Sequence, residues 1–86
     1  MPCVYILRSQ KSGKYYIGST ENLERRLKEH YRGKVYTTKR MLPVELVFKQ
    51  EYSSIKFAEN IERKLKDFKS RMIIEKIIQE GKIKIE

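Results

Sequence analysis

Eighty-six residues allow one domain, spanning 1–86, with a modest core and no room for a second. The chain is strongly basic: 20 Lys and Arg stand against 11 Asp and Glu, for a net charge of +9 at pH 7 and an isoelectric point of about 9.8. The single cysteine excludes an internal disulfide, and no Cys/His pair has zinc spacing. No apolar run approaches the ~20 residues needed to cross a bilayer, and the run at 3–7 is too short for a secretory signal, so a soluble, cytoplasmic chain with no membrane partner is expected.

Cys3-Val4-Tyr5-Ile6-Leu7 is continuously apolar and rich in β-branched and aromatic residues, the pattern of a strand buried on both faces. Gln10-Lys11-Ser12-Gly13 reads as a turn, and Lys14-Tyr15-Tyr16-Ile17-Gly18 as the return strand. A four-residue loop pairs Ser9 with Lys14, so Tyr5 faces Gly18 and Leu7 faces Tyr16. Tyr5 and Tyr16 then share a face as diagonal neighbours, roughly 7–8 Å apart. The missing side chain of Gly18 leaves a gap beside Tyr5. A one-residue bulge in this pair would undo the register.

Thr20 to His30 reads as the first helix, with Thr20 as its cap and Glu21 and Glu24 in its first turns. Leu23, Leu27, His30 and Tyr31 form the inner stripe. At about 100° per residue, Arg26 and His30 stack one turn apart on an edge of that stripe, facing a cleft beside the sheet. Taken singly, two tyrosines in a hairpin read as sheet packing, an Arg on a helix as solvated, and a His as a half-buried packing residue. Together they make a constellation.

The basic surplus travels with this half of the chain. Residues 1–50 hold 11 Lys and Arg against 4 Glu, and 51–86 hold 9 against 7 acids. Between Arg25 and Arg40, seven basic residues meet only Glu29, interleaved with Tyr31, Tyr36, Thr37 and Thr38. Such a patch suits a phosphate backbone; the plainer alternative is a solubilising surface. Gly33 ends the first helix, and 31–42 reads as a loop or short helical turn.

Pro43 opens a third strand over 44–51, with Val44, Leu46 and Phe48 on one face and Glu45, Val47 and Lys49 on the other. That alternation marks an edge strand and leaves the first strand in the middle. Ser53 or Ser54 caps the next helix, whose stripe is Phe57, Ala58, Ile61, Leu65 and Phe68. Glu62 falls at the stripe's edge, either looking into the same cleft or solvated and paired with Lys66. A last helix covers about 70–80, with Met72, Ile73, Ile74, Ile77 and Ile78 on its apolar face, and Gly81 ends it. Residues 82–86 read as a loose tail. The fold class is α/β: a three-stranded antiparallel sheet flanked by three or more helices.

Val4-Tyr5, Tyr16-Ile17-Gly18, Ser19-Thr20, Asn22-Leu23, Arg26 and His30, followed by Ala58, Glu62 and Lys66, resemble the signature of the GIY-YIG nuclease superfamily over nearly the whole chain. The likeness is to its small stand-alone bacterial members and to the N-terminal nuclease domain of bacterial excision-repair endonucleases. The first triplet departs from the pattern, with Cys3-Val4-Tyr5 where Gly-Ile-Tyr is typical. The resemblance implies a metal-dependent endonuclease acting on DNA, in repair or recombination. It implies Tyr5, Tyr16, Arg26, His30 and Glu62 as the catalytic set, with Glu62 holding one Mg²⁺ or Mn²⁺. Gly18, Arg25, Tyr36, Thr37, Arg40 and Lys66 are the candidate substrate contacts. The rival reading is a non-catalytic nucleic-acid-binding module of the same fold, and a weaker third is a protein-interaction domain.

Overall fold

β1 (Cys3–Ser9) is the middle strand of a three-stranded antiparallel sheet of order β2-β1-β3, with β2 over Tyr15–Thr20 and β3 over Val44–Glu51. The computed structural model describes residues 1–84. Four helices complete it: α1 (Leu23–Tyr31), α2 (Tyr36–Lys39), α3 (Ile55–Phe68) and α4 (Arg71–Glu80). The expected fold class is what the chain adopts.

The hairpin has the expected register, with Tyr5 opposite Gly18 and Leu7 opposite Tyr16. Its turn is tied by the Ser9 N–H donating to the Lys14 carbonyl at 2.8 Å. The Ser9 hydroxyl donates to the Met41 carbonyl at 2.7 Å and accepts from the Lys11 and Ser12 N–H groups. Gly13 takes φ of 76°, a left-handed conformation that a residue with a Cβ resists.

The five apolar residues of β1 divide between two cores. Val4 and Ile6 join Phe48, Ala58, Ile61, Leu65, Ile74 and Ile77 under α3 and α4. Cys3, Tyr5 and Leu7 face the other way, with Val44, Leu23 and Leu27 packed beside them. Each fully buried aliphatic side chain contributes about 1.5–3 kcal/mol, so a strand used on both faces anchors both halves.

Several local expectations are corrected. The alternation across 44–48 breaks at a register shift against β1 between Ile6 and Leu7. Phe48 therefore packs on the α3 face, away from Val44 and Leu46. Thr20 remains in β2, and the cap of α1 is Asn22, whose Oδ1 accepts from the Arg25 N–H at 3.0 Å. Tyr31, Phe57, Phe68 and Met72 were expected on apolar stripes and are exposed instead. Ser54 and Ser70 cap α3 and α4. The reading of 82–86 as a tail meets a packed Ile83, which is buried and donates its N–H to Gln50 Oε1 at 2.8 Å. Ile85 and Glu86 lie outside the described residues.

Candidate active site

Three elements deliver the centre of the site. Tyr5 comes from β1, Tyr16 from β2 and His30 from the last turn of α1. The ring centroids lie 6.3 Å apart for Tyr5 and Tyr16, 5.6 Å for Tyr5 and His30, and 5.2 Å for Tyr16 and His30. The Tyr5 hydroxyl and His30 Nε2 share a hydrogen bond of 2.8 Å. Both residues are almost wholly buried, whereas Tyr16 is half-buried. His30, expected at a cleft edge, is thus sealed into the fold.

The gap expected at Gly18 is filled by Tyr5 itself. A Cβ on Gly18 would stand 2.5 Å from the Tyr5 hydroxyl oxygen and 2.6 Å from the ring carbon that bears it. Glycine is therefore needed there so that Tyr5 can lie across β2 and reach His30.

Electrostatics keep this pair neutral at rest. Burial pushes the Tyr5 phenol up to about 12, against the opposing influence of the Arg26 guanidinium. Burial also lowers the pKa of His30, with the positive charge of Arg26 adding to it. Arg26 donates from Nη1 to Glu29 Oε1 at 2.9 Å, which holds the Glu29 carboxyl below its usual range. The Cys3 thiol is pushed up by burial, which makes it a packing residue rather than a nucleophile.

Glu62 sits at the margin of the cluster, on α3 beside the edge of β2. One carboxylate oxygen accepts from the Ser19 hydroxyl and the other is paired with Lys66 Nζ at 2.6 Å. The same ammonium lies 5.9 Å from the centroid of the Tyr16 ring, linking Glu62 to the tyrosine pair. Glu62 is also close enough to oppose ionisation of Tyr5.

Arg25, Tyr36, Thr37 and Arg40 lie outside this cluster, exposed on α1 and around α2. The Arg40 guanidinium carbon stands 5.8 Å from the Tyr36 ring centroid. Two residues absent from the expected site belong to it. Ser19 holds Glu62; β2 places it opposite Val4, on the face that α3 covers, where a polar side chain needs a partner. Thr38 holds His30, with Oγ1 at 2.7 Å from Nδ1. No periodicity in 31–42 pointed to it.

Among the described residues, no group of three or more His, Cys, Asp or Glu gathers as a ready-made metal cage. Glu62 stands as a single carboxylate. Such a donor fits a hard ion of the Mg²⁺ kind, which keeps several waters and takes one or two carboxylates plus substrate phosphate oxygens. No described helix is long and apolar enough to cross a membrane.

No curated protein sequence matches the chain. Among solved structures, the chain is similar to the solution NMR structure of the UPF0213 protein BH0048 from Bacillus halodurans, at 34% identity and a TM-score of 0.58. The match covers 92% of this chain and 84% of that one. The family model described as the GIY-YIG catalytic domain matches residues 1–76, a span that takes in Tyr5, Tyr16, His30 and Glu62. The chain belongs to the GIY-YIG family, whose domain is of nuclease type.

Proposed function

We propose that this chain is a divalent-metal-dependent endonuclease that hydrolyses DNA phosphodiester bonds, in repair or recombination. The observation that carries this reading is the convergence of three side chains, Tyr5 hydrogen-bonded to His30 and the Tyr16 ring against both, with Arg26 and Glu62 at the margin.

Hydrolysis needs a water deprotonated, phosphate charge offset and the reacting atoms held in line. Tyr5 at rest is a phenol, so it acts by exchange. It takes a proton from water on its oxygen as it passes its own proton to His30 Nε2, 2.8 Å away. The oxygen of that water then bonds to phosphorus and the P–O bond to the leaving strand breaks. Tyr16, less buried than Tyr5, lies beside the pair and positions water or phosphate. The planar fork of Arg26 meets phosphate oxygens once it exchanges Glu29 for the substrate. Glu62 would hold the metal ion, which when bound polarises the phosphate and stabilises the leaving oxygen. Lys66, paired with Glu62, then turns to the substrate. Arg25, Tyr36, Thr37 and Arg40 extend the basic surface along which the strand lies.

One observation favours the alternative of a non-catalytic nucleic-acid-binding module: both Glu62 oxygens already have partners in Ser19 and Lys66. The test is incubation of the purified chain with Mg²⁺ or Mn²⁺ and single-stranded, duplex and branched DNA, beside Glu62→Ala. Cutting that needs metal and falls by about a hundredfold or more in the variant is expected. Full cutting by Glu62→Ala would remove Glu62 as the ligand. Binding of every substrate without cutting would favour the binding module.

A further inference from the structure

We propose that Thr38 is a positioning residue that fixes the tautomer of His30, holding the ring proton on Nδ1 so that Nε2 accepts from Tyr5. The consequence for catalysis rests on the reading of Tyr5 and His30 as the proton-transfer pair; the tautomer itself does not.

Thr38 is the one fully buried residue of α2, and Tyr36, Thr37, Lys39 and Arg40 around it are all exposed. A hydroxyl buried in an otherwise solvated turn costs free energy unless it is bonded. Its Oγ1 lies 2.7 Å from His30 Nδ1 and 3.4 Å from the Val35 carbonyl. A carbonyl can only accept, so a Thr38 hydrogen turned to Val35, as this proposal has it, leaves an oxygen lone pair facing the ring. Nδ1 then carries the proton and donates it to Oγ1. Nε2 is left bare, and the Tyr5 hydroxyl donates to it.

The far end of the chain sets the same direction. The Arg26 guanidinium, which only donates, bears on the Tyr5 oxygen and favours a lone pair toward itself. The Tyr5 hydrogen is thereby turned to His30. With the opposite tautomer, Nε2–H would point at Tyr5, whose own hydrogen would have no acceptor among the described hydrogen bonds.

A neutral hydroxyl in this place has a specific use. A carboxylate on Nδ1 would orient the ring but would also draw it toward imidazolium. Thr38 orients the ring and adds no charge. That agrees with burial and Arg26 keeping His30 neutral, the state in which it can receive a proton. Thr38 also shares its short helix with Tyr36 and lies two residues from Arg40, so the turn that meets a strand is the turn that holds the acceptor.

The chain has one histidine, so a two-bond ¹⁵N–¹H imidazole spectrum reports His30 alone. The wild-type protein is expected to show a protonated Nδ1 and a bare Nε2. Thr38→Ser should keep that pattern, and Thr38→Val should lose it, giving a mixture or a proton on Nε2. In the cleavage assay, Thr38→Val should lower kcat about 10–100-fold with KM unchanged, and Thr38→Ser should restore it. A wild-type proton on Nε2, or an unchanged pattern in Thr38→Val, overturns the proposal. If Thr38→Val fails to fold, the wild-type and Thr38→Ser spectra still decide. A chain that cuts no DNA yet shows the Nδ1–H pattern would remove the nuclease reading and leave the tautomer assignment in place.

Discussion

β1 serves two regions that differ in kind. On one face, Val4 and Ile6 enter an aliphatic cluster with Ile61, Leu65, Ile74 and Ile77. On the other, Tyr5 enters a cluster joined by hydrogen bonds, in which Tyr5, His30 and Thr38 form one line. The aliphatic side needs only volume and burial, and tolerates any arrangement that fills the space. The polar side needs each donor to meet an acceptor, and a single missing atom leaves a buried group unpaired. The hydrogen-bonded line and the larger aliphatic cluster thus lie on opposite faces of one strand.

Mutations on the two faces should therefore behave differently. The largest expected effect on stability is Leu65→Ala, which opens a cavity among fully buried neighbours. It should cost about 2–5 kcal/mol in chemical denaturation, a large share of the ~5–15 kcal/mol typical of a domain. A cost under about 1 kcal/mol would mean that this cluster is not the structural core.

Alkaline pH probes the other face. Tyr5 is pushed up to about 12 in the folded chain against an ordinary value of about 10. The folded state therefore favours the phenol. Its contribution is complete below about pH 10 and is lost as pH rises through 12, roughly 2–3 kcal/mol in all. Unfolding curves across this range should show that loss in the wild type and not in Tyr5→Phe. Parallel losses in both would show that Tyr5 ionises like a tyrosine in water.

Gly18→Ala joins the two concerns. The new Cβ meets the Tyr5 ring, which is hemmed in by His30, so relief requires moving the ring or the strand. A destabilisation of about 1–3 kcal/mol is expected, with loss of the Tyr5–His30 hydrogen bond in the spectrum of His30. An Ala variant with wild-type stability and an unchanged spectrum would show that the approach is loose.

The smallest effect is the acid limb of His30. Its pKa is lowered in the folded chain by burial and by Arg26. Its contribution is present above about pH 6.5 and is lost as pH falls through the folded value. An NMR titration of the single histidine should give a midpoint below 6.5. A midpoint at or above that value would contradict its neutrality.

The hairpin register was legible because a polar four-residue turn with Gly13 leaves one pairing for the strands. That pairing put Tyr5, Tyr16 and Gly18 together, and helical spacing put His30 on the inward side of α1 and Glu62 at the edge of α3. The break in β3 was hidden because Val47 is apolar too, so period-2 alternation could not reveal which of Val47 and Phe48 shifts face. The cap at Asn22 was hidden because Thr20 is equally good chemistry, and sheet pairing with Cys3 claimed it first. Thr38 was out of reach for a different reason. Its importance comes from a contact between α2 and α1 across a turn with no apolar period, and local sequence carries no mark of it.

The proposal that the Tyr5–His30 pair carries the proton transfer, with the aliphatic cluster as its support, is tested most directly by cleavage rates per folded molecule. Leu65→Ala and Tyr5→Phe would be compared with wild type on one labelled DNA in Mg²⁺, at a temperature where unfolding curves show both variants folded. Leu65→Ala should cut at close to the wild-type rate despite its lower stability, and Tyr5→Phe should lose cutting by about a hundredfold or more. Wild-type cutting by Tyr5→Phe, or loss of cutting in folded Leu65→Ala alone, would contradict the account.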